Sequence, residues 1–95
     1  MMINSTYAAR ILYITNALAE RNIPCTIHMI CDGLQIRFPW SKGDIVCHKF
    51  SIGHDLGAVE SYHCPWDDDE DEVSSIRPDD AISYITNWYD SIHTH

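Results

Sequence analysis

Two dipeptides place a thiol beside an imidazole: Cys47-His48 and His63-Cys64. Thiolate and imidazole are zinc ligands, and a tetrahedral site needs four of them. A cysteine beside a histidine base is also a nucleophile pair. Both readings meet obstacles. The sequence has no Cys-x-x-Cys or His-x₃-His spacing, and adjacent residues of a strand point to opposite faces. If the two segments are paired strands, His48 and His63 become diagonal neighbours on one face, yet ordinary core or surface residues are the preferred reading. The sequence also lacks a nucleophile elbow, a phosphate-cradling glycine loop and a metalloprotease motif. Pairs of carboxylates able to do acid–base work are chance juxtapositions at this length. The expectation is a protein that is not an enzyme and uses no cofactor and no metal.

Carboxylates carry the stronger signal. Asp67, Asp68, Asp69, Glu70, Asp71 and Glu72 are consecutive, and Asp79 and Asp80 follow. Such a run projects a negative field that docks on an Arg/Lys-rich groove, and carboxylates in a row stand in for backbone phosphates. A solubilising loop is an equal reading, because charge runs are usually solvated, and helix capping alone accounts for Asp79 and Asp80. The spacing Asp67, Asp69, Asp71 begins like a calcium loop. Its sixth position is Glu72 where glycine is needed, and its twelfth is Pro78 where a bidentate Glu belongs, so calcium is set aside. Trp40 and Trp66 each follow a proline in a loop. They are partner-binding candidates as interface anchors, with core packing equally open.

These groups need elements to position them. Residues 5–22 read as an amphipathic helix, with Asn4 or Ser5 as N-cap, Asn22 at the C-terminal end and Pro24 preventing continuation. Cys25–Cys31 and Leu34–Phe38 flank Asp32-Gly33, a dipeptide suited to a two-residue hairpin turn. That turn pairs Cys31 with Leu34, Met29 with Ile36 and Ile27 with Phe38 on one apolar face, and puts His28 opposite Arg37 and Ile30 opposite Gln35 on the other. Residues 45–52 and 57–64 read as two further strands around a Gly53-His54-Asp55-Leu56 turn. Lys49 then faces Glu60, and Val46, Phe50, Ile52 and Val59 share an inward face. Pro78 opens a last helix whose stripe is Ala81, Ile82, Ile85, Trp88, Tyr89 and Ile92. The expected fold is a single α+β domain over residues 1–95. An antiparallel sheet of three to four strands is flanked by an N-terminal and a C-terminal helix, in the order α-β-β-β-β-α.

Composition bounds the rest. Ninety-five residues, 45% of them hydrophobic, supply one core. Residues 1–59 hold four acids against five bases, a net of +1, whereas residues 60–95 hold ten acids against Arg77 alone, a net of −9. Affinity for phosphate comes mainly from Lys and Arg, so direct nucleic-acid binding is not expected. The N-terminal residues lack a signal-peptide pattern and no apolar run is long enough to span a bilayer, so a cytoplasmic protein with free thiols at Cys25, Cys31, Cys47 and Cys64 is expected.

Short length, helix–sheet–helix order and the cluster Asp67 to Glu72, continued by Asp79 and Asp80, together give a chain that resembles the small acidic inhibitors that phages encode against bacterial defence, the anti-CRISPR type. The resemblance spans the whole chain in architecture and charge, with no shared motif. It implies an inhibitor in the host cytoplasm that occupies a basic nucleic-acid-binding surface of an effector by mimicking DNA phosphate. Two readings of other classes stand beside it. One is an adaptor, as a homodimer using an open sheet edge and Trp40 or Trp66. The other is a metal-binding module built on Cys47, His48, His63 and Cys64.

Overall fold

The computed structural model describes residues 2–67 and 73–93. Helix α1 (Ser5–Glu20) is followed by strands β1 (Thr26–Ile30), β2 (Gly33–Arg37) and β3 (Asp44–Cys47). A short 3₁₀ turn (His54–Leu56) leads to β4 (Val59–Tyr62), β5 (Val73–Ile76) and helix α2 (Pro78–His93). The five strands form one antiparallel sheet in the order β1-β2-β3-β4-β5, so each strand neighbours its sequence neighbour. Both helices lie on one face, α1 against β2 and β3, and α2 against α1. The architecture is the expected α+β fold with one strand more.

Local chemistry sets the bounds of α1. Asn4 Oδ1 accepts hydrogen bonds from the backbone N–H of Thr6 (2.9 Å) and Tyr7 (3.2 Å), satisfying two donors at the N-terminus. At the other end Asn22 takes φ 58°. Its N–H donates to Ala19 O, and Ile23 N–H donates to Leu18 O. That is a Schellman closure with asparagine in the left-handed position. Ile23 and Leu18 are both buried beside it. The inward stripe Ile11, Ile14, Leu18 meets Ile36, Ile45, Cys47 and Val59 from the sheet and Ile82 and Ile85 from α2.

The first hairpin differs from expectation in register. Ile30 pairs with Gly33, Met29 with Leu34, His28 with Gln35, Ile27 with Ile36 and Thr26 with Arg37. The turn is therefore Cys31-Asp32, with Cys31 at φ 52°, rather than Asp32-Gly33. Gly33 is needed in the strand: a Cβ there would lie 1.7 Å from the Cys47 carbonyl oxygen on β3. Asp32 is held from outside, its carbonyl accepting from Asn4 N–H (2.7 Å) and its Oδ1 from Lys49 N–H (2.9 Å). The displacement is two residues, so Ile27, Met29, Leu34 and Ile36 still share a face.

The second hairpin is shorter than expected, four residues a side, because the chain turns immediately after Cys47. His48 N–H donates to Ser51 Oγ (3.1 Å), and Ser51 Oγ and N–H both return to the His48 carbonyl (2.8 and 3.0 Å). Gly53 and Gly57 then take φ 82° and 78° around the 3₁₀ turn. Three expectations fall with the longer strands. Glu60 pairs with Val46, not Lys49. Lys49 lies over the Phe50 ring, 5.1 Å from its centroid. Phe50 and Ile52 are exposed, 71% and 53%, instead of inward, and Val46 and Val59 are buried on opposite faces. Strand β5 was not anticipated, since Ser74 and Ser75 carry little strand propensity.

Candidate functional surface

Trp40, Trp66 and Trp88 meet at one end of the sheet, brought there from the β2–β3 loop, the β4–β5 loop and α2. Trp88 lies edge-on to Trp40 (4.7 Å between centroids, 71°) and to Trp66 (5.6 Å, 89°). Phe38 packs against both Trp40 and Trp88. Each loop tryptophan also finds a partner for its indole N–H, as aromatic residues with a polar edge require when buried. Trp40 donates to the Pro24 carbonyl (2.8 Å), and Trp66 to Ser61 Oγ (2.9 Å). Both are half-buried against the core. Trp40 therefore closes the base of the core, whereas Trp66 forms a wall that a partner can reach.

That wall belongs to a groove of about 810 Å³ between β5 and α2. On one side stand Ser74, Ser75, Ile76 and Arg77. On the other is a stripe of α2 at three- and four-residue spacing, Asp80, Tyr84, Asn87 and Ser91, and Trp66 and Trp88 complete the lining. Tyr84 is 46% exposed and lies 5.5 Å from Trp66, tilted by 55°. This groove was not read from the sequence. Its sequence signals were the candidates Trp66 and Asp80 and the polar stripe of the last helix, which by itself is indistinguishable from a solvated face.

The acidic candidates separate by role. Asp67 is committed internally: it accepts from Ser61 Oγ–H through Oδ1 and from Cys64 N–H through Oδ2 (2.7 Å), and its own N–H donates to the Cys64 carbonyl (3.0 Å). Asp68, Asp69, Glu70, Asp71 and Glu72 lie outside the described residues. Asp79 accepts from the Tyr13 hydroxyl, tying α2 to α1, and that hydrogen bond, with the carboxylate's charge adding to it, raises the Tyr13 phenol above the ordinary range. Asp80 is exposed on the groove, and Asp90 is exposed one helical face away.

The thiol–imidazole dipeptides are not brought together. The β3–β4 ladder runs from Val46↔Glu60 to Asp44↔Tyr62, which puts His48 beyond one end and His63 beyond the other, so they are not diagonal neighbours. Cys47 is buried beneath α1, where Arg10 Nη1 approaches its sulfur at 3.6 Å on the way to the His54 carbonyl (2.6 Å). Burial pushes the Cys64 thiol up to about 12, with the neighbouring Asp67 carboxylate adding to the effect, and burial raises Cys47 and Cys25 as well. Cys31, expected inside a strand, is exposed in the turn. Thiols held in the protonated form are neither nucleophiles nor ready metal ligands. Among the described residues no group of three or more His, Cys, Asp or Glu is gathered as a metal requires.

On the helix-free face of the sheet, Asp44 Oδ2 accepts from Gln35 Nε2 (2.5 Å), and Gln35 Oε1 accepts from Arg37 Nε (3.1 Å). Asp44 Oδ1 is buried with no hydrogen-bond partner among the described residues. Burial accordingly raises the Asp44 carboxyl, the bond from Gln35 opposes it, and the Glu60 charge adds to the rise. No helix among the described residues is long and apolar enough to cross a membrane. No family model matches the chain, and neither a curated protein nor a solved structure matches it.

Proposed function

We propose that this chain is a non-catalytic protein-binding module whose acidic side docks on a basic, nucleic-acid-binding surface of a partner protein. On this reading it acts as the small acidic phage inhibitors do, by contact rather than by chemistry. The observation that carries the proposal is the way the sheet preserves sequence order. With strands arranged β1 to β5, the near-neutral residues 1–59 supply α1 and the first three strands. The described residues from 60 onward carry Glu60, Asp67, Asp79, Asp80 and Asp90 against Arg77 alone, and they supply β4 beyond Val59, β5 and α2. A charge asymmetry in sequence thereby becomes one across the molecule, and a one-sided field of this sign steers a basic partner into a defined orientation.

The burial of thiols and the dispersal of histidines favour this reading over a metal-binding or redox module. The test measures binding to a panel of basic nucleic-acid-binding domains, CRISPR effectors included, with duplex DNA as competitor. Wild type is compared with a variant carrying Asn or Gln at positions 68–72, 80 and 90. Asp67 and Asp79 stay unchanged because they hold the fold. Wild type is expected to compete with DNA for at least one domain, with affinity falling steeply between low and high salt. The neutralised variant should lose about tenfold or more. Binding that the neutralisation leaves unchanged, or no competition even at low salt, overturns the proposal.

A further inference from the structure

Strand β5 is the last in the sheet, and among the described residues no strand pairs with its outer side. An edge strand presents unpaired N–H and C=O groups to whatever lies beside it. What lies beside β5 is the groove. Its strand-side wall is made by the consecutive residues Ser74, Ser75, Ile76 and Arg77. Ser74 and Ser75 belong to opposite faces of the sheet, so the wall is the backbone edge, unpaired among the described residues, and not one face. The facing wall is the α2 stripe Asp80, Tyr84, Asn87 and Ser91.

We infer that this groove binds an extended, arginine-containing segment of the basic partner, which adds to β5 as a sixth strand. The inference rests on the proposed function for the sign of the partner's charge. The backbone edge supplies sequence-independent hydrogen bonds, and alternate side chains of an added strand point into the groove. There Trp66 and Tyr84 meet in a tilted corner with Trp88 edge-on behind. A guanidinium stacks on such rings, and Asp80 stands on the same groove as its counter-charge. Two common defences of an edge strand, an inward lysine and a proline, are both missing from Val73–Ile76. Arg77 on the rim is the one cation lining the groove among the described residues, and it works against an incoming arginine.

The test uses the full chain and a capped six-residue peptide of alternating Arg and Val. Two further peptides, each N-methylated on one of the two alternating sets of backbone amides, keep charge and side chains but lose one hydrogen-bonding edge. Binding is followed by amide exchange protection at residues 74–76 and by tryptophan fluorescence. The parent peptide should protect those amides, and one methylated peptide should bind about tenfold or more weakly. Tyr84→Ala should weaken the parent about fivefold or more by removing an exposed ring, and Arg77→Gln should tighten it. If the parent fails to bind, if both methylated peptides bind as well as the parent, or if protection appears elsewhere, the strand-addition inference is wrong. The DNA-competition experiment is unaffected by any of these outcomes, so the two proposals fail separately. Weaker binding in the Arg77→Gln variant would also overturn the inference, since it would mark the groove as an anion site.

Discussion

Ser61→Ala isolates the contact that places Trp66. Ser61 is completely buried on β4, an unusual position for a hydroxyl, and its Oγ serves two neighbours at once. It donates to Asp67 and accepts from Trp66 Nε1 at 2.9 Å. Removing it leaves a half-buried indole N–H with no acceptor and takes one bond from a carboxylate. An orphaned buried polar group costs about 1–3 kcal/mol. Trp66 retains some access to water and Asp67 keeps the Cys64 N–H (2.7 Å). The expected loss is therefore about 2 kcal/mol, in the middle of that range. For a domain of this size each kcal/mol shifts Tm by roughly 4–8 °C, so the transition should fall by roughly 8–16 °C. Thermal unfolding by circular dichroism measures the shift, and tryptophan emission should move to the red as Trp66 loosens. Ser74→Ala is the matched control, because Ser74 pairs with Ser61 across the β4–β5 ladder. It should change stability by no more than about 0.5 kcal/mol. If Ser61→Ala melts with the control, the hydroxyl does not hold Trp66 and the account of the groove wall is wrong.

Two further predictions concern titratable groups. With iodoacetamide near pH 8, mass spectrometry should find Cys31 labelled first and Cys64 last, because Cys31 is exposed while the Cys64 thiol is held up to about 12. The unfolded thiol loses its proton from its ordinary 9.0, so Cys64 also removes stability as pH rises from about 9 towards 12. Rapid labelling of Cys64 in the folded protein would contradict the burial described. Asp44→Asn keeps a carbonyl oxygen for Gln35 and removes a charge that burial disfavours. The raised folded pKa means the ionisation penalty is full above that value and vanishes as pH falls to the ordinary 3.8. The stability of the variant relative to wild type should therefore rise from acid to pH 7, a gap read by denaturant titration. A gap that widens in acid would reverse the assigned sign.

The hairpins show how far pattern carries. Period-two alternation sorted Ile27, Met29, Leu34 and Ile36 onto one face, and that sorting holds although the turn moves by one residue, since this shifts each cross-strand partner by two and preserves parity. Asp32-Gly33 misled because the glycine serves a contact 14 positions away, with the Cys47 carbonyl. In the second hairpin the apolar residues Phe50 and Ile52 suggested strand, but the Ser51–His48 turn bonds and two left-handed glycines bend the chain out of the sheet. Asp67 looked like one carboxylate of a run, and only its bonds to Ser61 and Cys64 set it apart.

The sequence by itself determined what depends on near neighbours and on composition. That covers the two helices with their Asn4 and Asn22 ends, the shared face of Ile27, Met29, Leu34 and Ile36, and the segregation of charge into residues 60–95. These follow from short-range hydrogen bonds, side-chain periodicity and counting. Tertiary structure alone decided the register of the first hairpin, the recruitment of Val73–Ile76 as a fifth strand, and the groove between that strand and α2. Each depends on atoms far apart in the chain meeting at close range. Steric exclusion at Gly33 sets the register, and the ladder partners Val59 to Tyr62 admit two serines that local propensity alone would not place in a strand.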